Sequence, residues 1–331
     1  MDEKIKDILD NYDIPVTSVV RGRGAWICIT PKARYLLKSF PYSENHVIYE
    51  AMLKSLIVER GCPWIDTTIY NKEGQILTTA KDGTRYMLKQ WFDGRECDLK
   101  SIEHIKLAVQ NLAALHRLMK NMRFECEWLK YAKHLPADTW MQKRTQEMKM
   151  IDGYMHRKKK ISPFEQMYIR HYPHFKAQAA GAVKMLEIAQ YNQLYQTALE
   201  ERTFCHGAYS HHNVLICKNH IVAVNFERAQ MNTQVDDLYY FMRKALEKNE
   251  WQVTLGRQML AAYEQVQPLS FNEKSYLYGL FLFPEKFWKI SNHYFNVRKS
   301  WMSGITMDKM QQVIAREDKR MLFLEAFAKS L

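Results

Sequence analysis

The spacing of apolar residues changes once, near residue 93, and that change limits what this chain can fold into. Before it, short segments alternate apolar and polar residues with the period of a strand. "TSVVRGRG", "AWICIT" and "RYLLKSF" read as three strands between residues 16 and 40, punctuated by Gly22, Gly24 and Pro31. "GQILTTA" and "TRYMLKQWF" read as two more around the turn "KDG". Between the two groups lies "SENHVIYEAMLKSLIVERG", a helix with Ser43 as N-cap that stops at Gly61 and Pro63. Residues 3 to 11 also look helical. After "DGRECDL" the apolar spacing becomes helical and stays so. "SIEHIKLAVQNLAALHRLMKNM" is one long amphipathic helix, and residues 137 to 200 hold two or three more, interrupted near Gly153 and Pro163. "DDLYYFMRKALEKN", "WQVTLGRQMLAAYEQV", "NEKSYLYGLFLFPEKFWKISNHYF" and "TMDKMQQVIAREDKRMLFLEAFAKS" fill the rest. One segment breaks the helical run: "HGAYSHHNVLICKNHIVAVNFERA", residues 206 to 229, is a strand, a loop and a second strand near Ile221 to Val224. The expectation is an α+β chain with a small lobe over residues 1–93, a β-sheet plus one helix, and a larger helical lobe over residues 94–331.

At 331 residues, 47% hydrophobic and 25% charged, the chain can bury a sizeable core in two lobes. It has no run of 18 apolar residues, and its start is charged and amphipathic. A soluble chain without membrane insertion or standard secretion is therefore expected. The six cysteines (Cys28, Cys62, Cys97, Cys126, Cys205 and Cys217) form no CxxC pair, so reduced thiols are a simpler reading than zinc or a disulfide framework. The net charge of +12 fits a polyanion or acidic partner, or simply a basic surface. Its densest cluster, "HRKKK" at His156 to Lys160, lies in a polar connector and reads as an exposed loop or helix end. No zinc finger, RRM signature or aromatic-basic alternation is present, so no specific nucleic acid is expected.

A β-rich lobe, a helical lobe and one late strand pair on a loop is a kinase-like order of elements. Phosphoryl transfer on that frame needs a strand Lys for phosphates, a helix Glu to orient it, a loop Asp for the acceptor hydroxyl, and a loop Asn and a second Asp for magnesium. Lys38, near the end of the third strand, fits the first part; a solvated strand-end lysine is the plainer reading. Glu50 is the candidate partner for Lys38, with Glu44 weaker because it opens the helix, where an acid also suits the dipole. In the pattern His-Gly-Asp-x-x-x-x-Asn, His206 and Gly207 open the loop and Asn213 closes it, which puts Ala208 where the Asp belongs. The metal-binding Asp position holds Asn225. A methyl group accepts no proton, and a neutral amide coordinates magnesium without neutralising it. No catalytic acid is therefore intact, any metal role of Asn213 and Asn225 is vestigial, and binding of ATP and Mg2+ is expected to be weak or lost. Glu227, two residues on, is a substitute acid. His206 reads as a loop buttress. His211, His212 and His220 suggest a metal by number only, since adjacent His211 and His212 diverge. Ser210 with His211 lacks a supporting acid. Asp236 and Asp237 read as helix caps, or Asp237 as a structural hydrogen-bond acceptor for the loop.

Several stretches together resemble one family. "KDGTRYMLKQWFDGRECDL", "LAALHRL", "CHGAYSHHNVL", "VNFERAQMNTQVDDLYYFMRKALEKNEW" and "LFPEKFWKISNHYF" look like the spore-coat CotS family of spore-forming Firmicutes, which is similar to the aminoglycoside and choline phosphotransferases. The resemblance runs from about residue 15 to the C-terminus. It implies a protein-kinase-like two-lobe fold and a role in assembling the endospore coat, first in the mother-cell cytoplasm and then on the spore, with other coat proteins as partners. It carries Lys38 to the strand lysine, Asn213 to the magnesium asparagine, and Gln90 to Phe92 to the hinge that would face an adenine. Ala208 and Asn225 depart from the superfamily's catalytic pattern. The expected function is therefore that of a degenerate kinase-like interaction module. The alternatives are an active small-molecule or protein phosphotransferase with a rerouted acid, and a basic polyanion-binding protein. The 19 Tyr, 15 Phe and 8 Trp are expected mainly in the core.

Overall fold

The computed structural model describes residues 3–22, 24–132, 135–296 and 304–331. In chain order its elements are α1 (Glu3–Leu9), β1 (Ser18–Arg21), β2 (Trp26–Ile29), β3 (Arg34–Ser39), α2 (Glu44–Glu59), β4 (Thr68–Ile69), β5 (Thr78–Thr79), β6 (Arg85–Trp91), β7 (Arg95–Glu96) and α3 (Ile102–Leu118). A 3-10 helix (Cys126–Ala132), α4 (Ala137–Met155), α5 (Pro163–Ile188) and α6 (Tyr191–Glu200) follow. Then come β8 (Phe204–Cys205), a 3-10 turn (His211–Asn213), β9 (Val214–Ile216), β10 (Ile221–Ala223) and β11 (Gln230–Met231). The chain ends with α7 (Val235–Lys248), α8 (Val253–Glu264), α9 (Phe271–Leu282), α10 (Glu285–Asn296), α11 (Gly304–Ala315) and α12 (Glu317–Ala328).

Two compact units form. One contains Met1–Lys133 and Glu201–Asp237, the other His134–Glu200 and Leu238–Leu331. This division differs from the break expected at 93/94. The late strand pair is hydrogen-bonded to the first part of the chain: Ala223 N–H donates to Trp64 O at 3.2 Å, and Tyr49 O–H to Ala229 O at 2.7 Å.

In the first unit the sheet runs β1-β2-β3-β6-β4 with antiparallel pairing, and β5 also pairs with β6. Because side chains alternate across a strand, the sheet has two apolar faces. Leu37 and Leu88, directly paired, face Ile5, Ile8 and Leu9 of α1. Met87 and Phe40 face Val47 and Ala51 of α2. The two-residue strands β4 and β7 were not expected; they are too short to show a period.

The second unit is helical and carries much of the aromatic content in its core. Phe287 stacks on Phe175 at 4.1 Å and on Tyr168 at 5.0 Å, and Phe323 lies edge-on to Phe281 at 5.2 Å. Ser162 caps α5 in a reciprocal pair with Glu165, with Pro163 following. The basic cluster lies at the end of α4 and in this connector, and Lys158 pairs with Glu165 at 2.5 Å. Two segments expected as single helices are each divided. Phe283, ahead of Pro284, is extended (φ −61°, ψ 128°) because proline disfavours helical backbone before it, so α9 and α10 are separate. The second break is at Arg316, between α11 and α12. Cys28, Cys62, Cys97, Cys205 and Cys217 are free thiols. No helix of the described residues is long and apolar enough to cross a membrane.

Replacing the fully buried Leu88 by Ala should destabilise the first unit by about 2–5 kcal/mol, since it removes methyls from both the sheet and the α1 contact. Urea unfolding followed by circular dichroism measures this.

Candidate functional site

Strand register sets the site. Leu36 pairs with Lys89 and Lys38 with Met87, so Lys38 and Lys89 project from the same sheet face as diagonal neighbours, towards α2. Glu50 and Lys54, four apart on α2, share one helical face. Glu50 Oε1 accepts from Lys54 Nζ and from Lys89 Nζ, both at 2.8 Å. Asp66, just before β4, lies 3.3 Å from Lys89 through Oδ2, and its carbonyl accepts from Lys54 Nζ at 2.7 Å. The Lys38–Glu50 pair expected from the sequence is not formed. Lys38 instead donates to Glu227 Oε1 at 2.6 Å, and Lys89 reaches the same oxygen at 3.3 Å. The reason is burial. Glu50, Lys54 and Lys89 have side chains at most 1% exposed and need partners within the interior, whereas Lys38, on the same face but near a strand end, is 31% exposed and meets the carboxylate nearest the solvent. Glu44 is exposed on the first turn of α2.

Three ammonium groups (Lys38, Lys54, Lys89) thus meet three carboxylates (Glu50, Asp66, Glu227), and the network is neutral. Burial alone would raise the Glu50 pKa, but Lys54 and Lys89 outweigh it and hold the carboxyl at about 2, against 4.5 for an ordinary glutamate. Burial would lower Lys89, yet Asp66 and Glu50 carry it well above the usual lysine value. Glu227 is likewise held below its ordinary value, by Lys89 and Lys38 against the effect of burial.

The loop is held by bonds that need no catalytic acid. Asp237 accepts from the backbone N–H of His206 at 2.6 Å and of Gly207 at 2.9 Å, and hydrogen-bonds His116 Nε2 at 3.2 Å. His206 is fully buried. Its Nε2 bonds Val224 O at 3.0 Å, and its Nδ1 accepts from Ala208 N–H at 3.2 Å. That pattern fits one neutral tautomer, and burial lowers the His206 pKa despite the nearby Asp237. Gly207 has φ +73°, and a Cβ there would lie 1.9 Å from Arg228 O, so the loop closes onto the turn between β10 and β11 only with glycine. Asn213 Nδ2 donates to Ala208 O at 2.9 Å and fixes the turn.

Asn225 adopts φ +66°, a left-handed conformation asparagine tolerates. Its N–H donates to Asp66 Oδ2 at 3.0 Å and its Nδ2 to Asn213 Oδ1 at 2.9 Å. An amide N–H therefore joins the two side chains that would flank a magnesium ion in the expected frame. Asn225 Oδ1 is buried without a partner, but it is one neutral oxygen, and Glu227 is already shared by two lysines. Such a donor set does not fit a hard divalent cation, which takes carboxylate and phosphate oxygens. Among the described residues no three His, Cys, Asp or Glu side chains are grouped to hold a metal. His211 and His212 do not diverge as expected, since their ring centroids lie 3.7 Å apart; His212 also bonds Glu96 at 2.5 Å, and His220 stacks on Trp64 at 3.7 Å.

Gln90 and Phe92 lie at the end of β6. Gln90 Oε1 accepts from Thr67 Oγ1 at 3.0 Å, and Phe92 packs with Leu215, Val222 and Val224. Lys89, Lys54 and Asp66 were not anticipated. Lys89 had a signal, a charged residue on the inward parity of an apolar strand beside Met87. Lys54 had another, its four-residue spacing from Glu50. Asp66 in "CPWIDTT" had none.

Gly207→Ala should cost about 3 kcal/mol or more, from the close approach and the positive φ together, read as a fall in unfolding midpoint. Glu50→Gln should cost about 3–5 kcal/mol, because it leaves Lys54 and Lys89 buried with an unbalanced charge. The pH dependence follows in sign. Glu50 is depressed in the folded state, so its contribution is complete above pH 4.5 and is lost as pH falls toward about 2. Acid unfolding of wild type should show that loss, and Glu50→Gln should flatten it.

A family described as "Spore coat putative kinase YutH" matches residues 5–327. Spore coat protein S of Bacillus subtilis is 20% identical over 330 residues, 97% of this chain and 93% of that protein. The endospore coat-associated protein YutH of the same organism is 22% identical, covering 87% of this chain and 82% of that one. An aminoglycoside phosphotransferase structure from Alicyclobacillus acidocaldarius superposes with a TM-score of 0.88 at 17% identity, over 98% of this chain and 95% of that one. The last likeness establishes the kinase-like fold, and the family match, spanning nearly the whole sequence, places this chain in the spore-coat YutH family of kinase-like proteins.

Proposed function

We propose that this chain is a catalytically degenerate kinase-like protein, a pseudokinase of the endospore coat, which acts in coat assembly as an interaction module. The observation that carries this reading is one hydrogen-bonded loop with both acids replaced. Ala208 stands where a carboxylate would take the acceptor's proton, and Asn225 is bonded to Asn213 where two metal-facing oxygens would be needed. Absence of a general base alone removes about 10² to 10⁴ of rate. The names of the B. subtilis relatives support the coat setting; the proposal adds synthesis in the mother-cell cytoplasm, deposition on the spore and other coat proteins as partners. A second reading, an active phosphotransferase with a rerouted acid, draws on the position of Glu227 beside Lys38.

The two readings separate in one assay. With ATP and Mg2+, wild type should show only background phosphoryl release or transfer, and Lys38→Ala should not change it. A magnesium-dependent rate lost in Lys38→Ala would overturn the pseudokinase reading. A fluorescent fusion expressed in sporulating cells should redistribute from the mother-cell cytoplasm to the spore surface; a signal that stays diffuse would count against the coat role.

A further inference from the structure

We propose that Glu227 is an internal ligand of Lys38: its carboxylate occupies the place of a phosphate oxyanion, so a nucleotide's phosphate binds Lys38 only by displacing it, and does so without a divalent cation. The inference deepens the reading above and rests on its account of Asn225 and Asn213, though not on the coat role.

An anion in solvent can meet only a cation that reaches the surface. Of the three lysines, Lys54 and Lys89 have side chains 1% and 0% exposed and are committed to Glu50 and Asp66. Lys38 is 31% exposed, and among the described residues its ammonium has one partner, Glu227 Oε1 at 2.6 Å. Lysine is a compact point charge with rotatable donors, suited to phosphate oxygens and carboxylates alike.

The exchange is mechanically simple. The backbone around Glu227 is clamped: His46 Nε2 donates to Glu227 O at 2.8 Å, Asn225 N–H to Asp66 Oδ2 at 3.0 Å, and Tyr49 O–H to Ala229 O at 2.7 Å. The side chain is held through a single oxygen, Oε1; no hydrogen bond to Oε2 forms among the described residues. Rotation of the side chain alone therefore withdraws Oε1 from Lys38, and from the longer contact with Lys89, with no backbone bond broken.

Charge makes this an exchange and not an addition. The six-group network is neutral as it stands, so a phosphate added beside Glu227 would place two anions on one ammonium. The cation that relieves such crowding in a phosphotransferase has no ready seat, because Asn225 and Asn213 are bonded to each other. Magnesium should therefore compete with the protein for the phosphates and weaken binding.

The test is calorimetric titration with ADP, in EDTA and at fixed ionic strength, on wild type, Glu227→Gln and the double variant Glu227→Gln with Lys38→Met. Glu227→Gln should bind ADP about tenfold or more tightly than wild type, the scale of one lost charge-assisted competitor. The double variant should lose that gain, and added Mg2+ should not strengthen binding. Equal affinity in wild type and Glu227→Gln, full-strength binding in the double variant, or a requirement for Mg2+ would each overturn the proposal. Should Glu227→Gln not fold, Glu227→Asp shortens the reach by one methylene and should give an intermediate gain; no gain there also overturns it. Phosphoryl transfer from ATP with Mg2+, measured separately on the same protein preparations, keeps the two proposals apart. Transfer would overturn the pseudokinase reading, whereas unchanged ADP affinity without transfer would overturn only the internal ligand.

Discussion

Glu50 is a carboxylate sealed from water, and the first unit is organised around keeping it ionised. Two lysines meet its Oε1 at 2.8 Å, one from its own helix and one from β6. A buried charge is tolerated only when opposite charge and hydrogen bonds offset its lost hydration, so the sheet, α2 and the segment carrying Asp66 must be in register at once. Asp66 extends that demand to the late strand pair, because its other contact is the backbone N–H of Asn225. One electrostatic constraint therefore ties together residues 38, 50, 66, 89 and 227, which are far apart in the chain.

The loop from His206 to Asn213 is fixed by a different economy of bonds. Asp237 satisfies two loop N–H groups, a neutral His206 links Val224 to Ala208, and Asn213 holds the Ala208 carbonyl. None of these bonds uses a side chain at position 208, and the Asn225 side chain adds a bond of its own. The frame can thus persist on packing and hydrogen bonds with alanine at position 208 and asparagine at position 225. This is a physical reason for the loop's architecture to hold in this chain.

Much of the fold was legible in the sequence because its signals are local. Period-two alternation marked β1, β2, β3 and β6, and helical spacing marked the long helices. The His206–Asn213 frame identified Ala208 and Asn225 by counting alone. What was not legible depends on register and depth. Helices such as α9 and α10 read as one because apolar spacing continues across Phe283 and Pro284. Lys38 and Lys89 both sit on inward parity, and only the pairing of Leu36 with Lys89 shows that Lys89, the deeper of the two, is the one that meets Glu50.

The sequence by itself determined which residue types stand in the loop, Ala208 and Asn213 among them. It also determined the alternation that places lysines on one sheet face. The tertiary structure decided their partners. A partner is chosen by burial and distance, and a lysine takes whichever carboxylate shares its dielectric surroundings. For Lys89 that is Glu50 in the interior, and for Lys38 it is Glu227 at the edge of the solvent.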